Sequence, residues 1–371
     1  MTPRERLERI YQGGEPDRPA VRLWGLSPIA PASDSPYLPI HELAMRLTDR
    51  VFGSGSAFDM CFGAFAERYV TTEKRISADG EWEDTFTTMT LPGRKLRGIY
   101  RDGLRGRHGY IMEYPVKSAD DLEALLRIPY EPFPFDPLGY QAADAAAGER
   151  GIALFEIDHA GYGLQRLMGS EALALFTLEA RGLCLEALRV FQGRLIAHLK
   201  AMFASGLRPH IGWVGPELLA PPLLSPMDFD ELVTAFDREL IDIAHSEGRR
   251  VWVHCHGKMR GMIGRFRDMG VDVLNPIEPP PMGDVSLDEA FSLAGGMALE
   301  GNIETHDIMT LTQDKLREKI RAALEVGARN GNRLILSPCS GYAEDVFPTR
   351  RYIENLRLFV EEGVAMAEAL R

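Results

Sequence analysis

Short apolar runs recur along this chain near residues 21, 58, 153, 211, 252, 273, 298 and 335, and this rhythm constrains its fold more than any other feature. Most of the runs alternate with helical patterns. Several, such as Ile152-Ala153-Leu154-Phe155 and Leu334-Ile335-Leu336, are continuous rather than alternating. Strands buried on both faces read that way. Eight β/α units predict an α/β fold, a (β/α)8 TIM barrel, formed by residues 1–371 as a single domain. A doubly wound open sheet is the alternative. No Gly-x-Gly-x-x-Gly or Walker-type loop follows a strand, so no nucleotide fingerprint supports it.

Two departures from the rhythm are expected. Thr2-Pro3 places a capping hydroxyl and then a first-turn proline ahead of Leu7, Ile10 and Tyr11, predicting an added N-terminal helix. Residues 65–117 carry scattered aromatic and β-branched residues between turns such as Ala78-Asp79-Gly80, predicting an inserted antiparallel β excursion. Between these, His41 to Asp49 reads as a helix and Ala57 to Phe62 as the second barrel strand. Ser118 and Ser225-Pro226 read as further helix starts.

The formal net charge of −12 argues against nucleic-acid and anionic-membrane partners, because little would neutralise phosphates. No stretch approaches the roughly 18 uninterrupted apolar residues of a membrane span. The charged start Met1-Thr2-Pro3-Arg4-Glu5-Arg6 lacks an export segment, and the cysteines Cys61, Cys184, Cys255 and Cys339 fit no disulfide framework. A soluble cytoplasmic protein is expected.

In a barrel, chemistry gathers at the carboxyl ends of the strands. Those ends hold Trp24, Asp59, Cys61, Glu156 with Asp158 and His159, Glu217, His254 with His256, Glu278, Asn302 with Glu304 and His306, and Cys339 with Tyr342. In Trp252-Val253-His254-Cys255-His256-Gly257 the two histidines share a face and Cys255 points away. Alone, such a pair is more often simply hydrogen-bonded. With Cys339 at the end of the eighth strand, two imidazoles and a thiolate suit zinc with an open position. Glu278 is a fourth ligand, a partner holding a ligating histidine, or a solvated loop carboxylate. Glu156 ends an apolar strand and is either paired or functional. Glu217 is a weaker acid candidate that also suits a loop cap. His159 and His306 read as hydrogen-bonded loop residues.

Taken together, the chain resembles the uroporphyrinogen decarboxylase superfamily, specifically its corrinoid-dependent methyltransferase branch. The resemblance runs through Met1-Thr2-Pro3-Arg4-Glu5-Arg6, Pro16-Asp17-Arg18-Pro19, Tyr114 to Leu122, Leu224-Ser225-Pro226, His254 to Gly257, Asn275-Pro276-Ile277-Glu278-Pro279 and Gly301-Asn302-Ile303. It implies zinc on His254, His256 and Cys339, with His256 standing where zinc members carry cysteine. It also implies a corrinoid (cobalamin) held by a separate partner protein, since no Asp-x-His-x-x-Gly carrier motif occurs here. A homodimer remains open.

Zinc on two neutral imidazoles and one thiolate keeps more positive charge than zinc on two thiolates, and so is the better Lewis acid. That suits polarising the oxygen of a small O-methyl substrate, with Glu156 or Glu278 orienting it or managing a proton. The alternatives are a decarboxylase-type lyase, a methylcorrinoid:thiol methyltransferase of the coenzyme M type, and a non-catalytic barrel. The lyase fits less well, because Arg22-Leu23-Trp24-Gly25-Leu26 offers a single arginine for substrate carboxylates.

Overall fold

The computed structural model describes residues 1–104, 108–342 and 348–371. Its strands begin with β1 (Ala20–Val21) and β2 (Arg50–Ser54), followed by β3 (Val70–Ile76), β4 (Trp82–Leu91), β5 (Arg94–Gly103) and β6 (Tyr110–Glu113). Then come β7 (Gly151–Glu156), β8 (His210–Val214), β9 (Val251–His254), β10 (Val273–Ile277), β11 (Ala298–Ile303) and β12 (Leu334–Pro338). One parallel ladder runs β1-β12-β11-β10-β9-β8-β7-β2, which takes eight strands in chain order around a ring. This is the expected TIM-barrel-like architecture.

β1 and β2 are the two ends of that ladder, and Asp49 joins them. Its N–H donates to the Val21 carbonyl at 2.8 Å, and its carboxylate accepts the Val21 N–H at 2.8 Å. The same carboxylate receives Arg6 at 2.5 Å and Arg18 at 3.2 Å, with all three side chains at most 3% exposed. A charge buried this deeply persists only when paired and hydrogen-bonded.

The second strand lies earlier than expected. Ala57 to Phe62 is not a strand, and the ladder uses Arg50–Ser54 instead. The reason is local chemistry at Asp59, whose Oδ1 accepts the backbone N–H groups of Cys61, Phe62 and Gly63. An aspartate capturing its own downstream amides favours a turn over a ladder. The preceding helix, Leu38–Leu47, stops short of Asp49 and leaves that residue for the seam.

The N-terminal helix Pro3–Tyr11 forms as predicted, with a reciprocal capping box between Thr2 and Glu5. Its fully buried Leu7, Ile10 and Tyr11 join Ala20, Val51, Ile152 and Val273 in the barrel interior. The Tyr11 ring stacks on His210, the first residue of β8, at 4.8 Å. The helix therefore plugs the amino-terminal end of the barrel, and chemistry is confined to the opposite mouth. Above the plug, Glu300 accepts from Arg22 at 2.7 Å and from the Trp252 indole at 2.8 Å, forming a buried polar floor.

The inserted excursion is a separate antiparallel sheet ordered β3-β4-β5-β6. Pro92-Gly93 makes its tight turn, with Gly93 at φ 74°. Residues 105–107 of the predicted 65–117 excursion lie outside the described residues. Ser118 and Ser225 cap the helices Ala119–Leu126 and Pro226–Phe229, as their sequence positions suggested. Among the described residues no helix is long and apolar enough to cross a membrane.

Candidate functional site

Strand register assembles the centre of the mouth. His254 ends β9 opposite Asn275 of β10, and its Nδ1–H donates to Asn275 Oδ1 at 2.5 Å. Two residues on, His256 Nδ1 donates to Glu278 Oε1 at 2.9 Å. The other oxygen of Glu278 accepts the Gly257 N–H at 2.9 Å, tying the loop after β9 to the end of β10. The two imidazoles stand edge to face with centroids 4.5 Å apart, and the Trp24 ring stacks on His254 at 4.9 Å. Both histidines thus have Nδ1 engaged, so Nε2 is the nitrogen that carries the lone pair in the neutral ring. This is how proteins commonly orient metal-ligating histidines.

The electrostatics separate the pair. Burial, reinforced by neighbouring His256, pushes His254 down to about 4, so it is neutral at pH 7. Burial also opposes charge on His256, but the Glu278 hydrogen bond outweighs it and raises this histidine. Glu278 shows the converse: burial pushes it up, and His256 with the Gly257 N–H brings it below the usual carboxylate range.

Cys339 follows β12 and is buried, its N–H donating to the Ile303 carbonyl at 2.9 Å. Ile303 and Pro338 are in register, so the next residues, Glu304 and Cys339, are neighbours across β11 and β12. Burial first, then the negative charges of Glu304 and Glu278, push the Cys339 thiol well above its ordinary value. Burial and the Glu278 and Asp307 charges lift Glu304 to about 7. Glu304 was visible as a mouth residue but did not stand out in the sequence. The available signal is positional: Glu278 follows Ile277 at the end of β10 as Glu304 follows Ile303 at the end of β11.

Glu217 lies in the short 3-10 turn Pro216–Leu219 after β8, and burial raises it. Its charge acts on His256, as does that of Glu304. Glu217 Oε2 and Glu304 Oε1 are buried oxygens with no hydrogen-bond partner among the described residues. Anchored imidazoles, a buried thiol and unpartnered carboxylate oxygens are a donor set whose chemistry fits zinc. Among the described residues, no three His, Cys, Asp or Glu side chains converge tightly enough to form a ready-made metal cluster. Cys255 is fully buried, with its thiol directed at the His256 carbonyl.

Glu156 stands apart from this group, at the end of β7 across the mouth. Burial raises it, and the one opposing charge is Arg22. Room for its carboxylate comes from Gly53 on β2, where a Cβ would fall 1.9 Å from Glu156 Oε1. Gly53→Ala should displace Glu156 and cost about 1–3 kcal/mol, the usual penalty for overpacking. Urea unfolding of the variant measures that cost, and an unchanged midpoint would show that Glu156 swings away freely.

His159 lies in the loop after β7 as expected; it is fully buried, 3.7 Å from buried Asp237, and its ring interacts with the Gly215 backbone. His306 is exposed on the short helix Thr305–Thr310. Burial pushes His159 down to about 4 and Asp237 up to about 8. Between pH 6.5 and 8 the unfolded chain has released the Asp237 proton while the folded chain keeps it, so this residue makes stability fall as pH rises. Below 6.5 His159 acts oppositely, because the unfolded chain gains a proton that the folded chain refuses. Asp237→Asn should flatten the fall between pH 6.5 and 8 in urea midpoints. An equal fall in the wild type and the variant would mean Asp237 is ionised in the fold.

Residues 195–363 match the family model described as Uroporphyrinogen decarboxylase (URO-D). Comparison of the sequence with curated proteins gives no match. Among solved structures, the fold is similar to a methyltransferase from Methanosarcina mazei, with TM-score 0.63 and 17% identity, covering 100% of this chain and 99% of that one. A 3-keto-D-glucoside 4-epimerase from E. coli, at TM-score 0.36 and 15% identity, covers 66% of this chain and 95% of its own.

Proposed function

We propose that this chain, whose residues 195–363 match the URO-D family model, functions as a zinc-dependent methyltransferase moving a methyl group between a small methylated substrate and a corrinoid protein. The observation that carries this reading is the His254–His256 pair, each held through Nδ1 by an oxygen of the next strand, with Cys339 buried in the same mouth. The fold shared with the Methanosarcina methyltransferase is consistent with it. The decarboxylase alternative is disfavoured by charge. Glu156, Asp158, Glu217, Glu278 and Glu304 ring the strand ends, and Arg22 is already paired with Glu300. A polyanionic tetrapyrrole would meet net negative charge there.

In this reading His254, His256 and Cys339 hold the zinc, which when bound supplies Lewis acidity toward a heteroatom bearing the methyl group, an O-methyl ether being the simplest case. The remaining work falls to the chain. Asn275 and Glu278 hold the two rings through Nδ1, so Nε2 is the nitrogen each would offer to a metal. Trp24 stacks on His254 and covers it from water. Glu304, lifted to about 7, stands beside Cys339 and can take the thiol proton when the sulfur becomes a ligand. Glu156 and Glu217 are left to orient the substrate. The plugged opposite end of the barrel leaves the mouth as the face for a separate corrinoid carrier.

The test is methyl transfer by purified, zinc-analysed protein, with methyl ethers and methylamines offered as donors to cob(I)alamin. Demethylation of a small donor is the expected result. Methylation of a thiol from methylcobalamin without demethylation of any donor would instead assign the coenzyme M type of reaction. Activity on a carboxylated tetrapyrrole would assign the lyase.

A further inference from the structure

Beside the imidazoles, over the carboxyl ends of β7, β8 and β9, lies a cavity of about 280 Å³. Its walls are aromatic: Phe58, His198, Trp213 and Trp252. Its charged groups are the carboxylates of Glu156 and Asp158, and Ser56 adds a hydroxyl side chain to the lining. Neither the candidate metal ligands nor Glu278 line it. Trp252 is the partition, with its ring 5.9 Å from His254 on the other side.

The charges facing this cavity do not cancel. No described residue donates a hydrogen bond or makes an ion pair to Glu156. Asp158 has Arg166 at 3.8 Å, but that guanidinium is 60% exposed and screened by water. Arg22, a buried cation, is held by Glu300 at 2.7 Å and lies over the Trp24 ring at 4.7 Å and the Trp252 ring at 5.7 Å. His198 is pushed down by burial and is neutral.

Backbone spacing adds a second, independent feature. Glu156 is in register with Gly212 of β8, and the Trp252 ring lies 3.2 Å from where a Gly212 Cβ would be. Glycines at 53 and 212 therefore flank Glu156, and the indole of Trp252 fills space one strand away. Phe58 closes over the top from the Asp59 turn, its ring 4.9 Å from His198. Glu156 is exposed at the mouth of the cavity and Asp158 is half-buried. Carboxylates beside aromatic faces suit an alkylated ammonium group, which gains from ring quadrupoles without demanding hydrogen bonds. A free carboxylate ligand would be repelled, and a neutral ligand would gain nothing from the Glu156 and Asp158 charges.

We propose that this cavity binds a small alkylammonium cation, so that the substrate of the proposed methyl transfer carries such a group beside the Trp252 partition. The proposal rests on the methyltransferase reading for its meaning as a substrate site, but binding can be tested without turnover. Calorimetry would compare choline with 3,3-dimethyl-1-butanol, its neutral carbon isostere, and with guaiacol as a neutral aromatic ether.

Choline should bind at least about tenfold more tightly than either neutral probe. Glu156→Gln should remove that preference, and Phe58→Leu should weaken choline severalfold while Phe58→Tyr restores it. The two Phe58 variants keep the test valid if Glu156→Gln disturbs the fold. Equal binding of choline and its isostere, preferential binding of guaiacol, no binding of choline, or an undiminished preference in folded Glu156→Gln would each overturn the proposal. Charge-selective, Glu156-dependent binding in a protein inactive with every methyl donor would uphold this site and overturn the methyltransferase reading instead.

Discussion

Asp49→Ala is expected to destabilise the barrel by about 3–5 kcal/mol, the cost of stranding a buried charge. Two guanidiniums converge on this carboxylate, at 2.5 Å from Arg6 and 3.2 Å from Arg18, and both are at most 3% exposed. Arg6 retains Asp17 at 2.8 Å, but Arg18 has no second carboxylate among its hydrogen bonds. The substitution also removes the acceptor for the Val21 N–H at the seam between β1 and β2. Asp49→Asn keeps an acceptor there and loses the charge, so its cost should be intermediate. Urea unfolding with matched slopes checks both values. A loss under about 1 kcal/mol for the alanine variant would mean that water reaches the two arginines and the seam is not dry.

The other large effect concerns the proposed zinc. His254→Ala and Cys339→Ala should each abolish near-stoichiometric zinc in the purified protein, along with methyl transfer. Removing a partner rather than a ligand should be milder. Glu278→Gln keeps the shape but weakens the hold on His256 Nδ1, and such changes typically cost about 10–100-fold in metal affinity. Competition with a zinc chelator, alongside circular dichroism to confirm folding, measures the series. Retention of full zinc by both His254→Ala and Cys339→Ala would remove these residues from the metal site.

The barrel was legible because seven of its eight strands are apolar enough to announce themselves, and because the N-terminal helix and two later helices carry orthodox caps at Thr2, Ser118 and Ser225. The second strand was misplaced because Ala57 to Phe62 has strand-like composition, while the turn-forming capacity of Asp59 depends on where its neighbours' amides point. At the mouth, the alternation of His254 and His256 was readable from period two alone. Asn275 and Glu304 were not, since their importance comes from register across strands, which no local pattern encodes. The cavity beside Glu156 was even less visible. It depends on His198, a residue inside the long helix Arg181–Ala204, and on glycines whose role is to leave space.

The Asp49 seam has a consequence for biosynthesis. β1 pairs in the ladder only with β12, so Ala20 and Val21 leave the ribosome roughly 300 residues before their strand partner is made. At about 5–20 residues per second, that interval is on the order of 15–60 s. Throughout it, Arg6, Arg18 and Asp49, all encoded within the first 49 positions, can already associate. The charged knot would then act as a local clasp holding the opening segment beside β2 while the remaining strands emerge. Arrested nascent chains ending before β12 should accordingly show Asp49-dependent protection of residues 1–54 from protease. Equal cleavage in wild-type and Asp49→Ala chains would assign the knot to the finished ring alone.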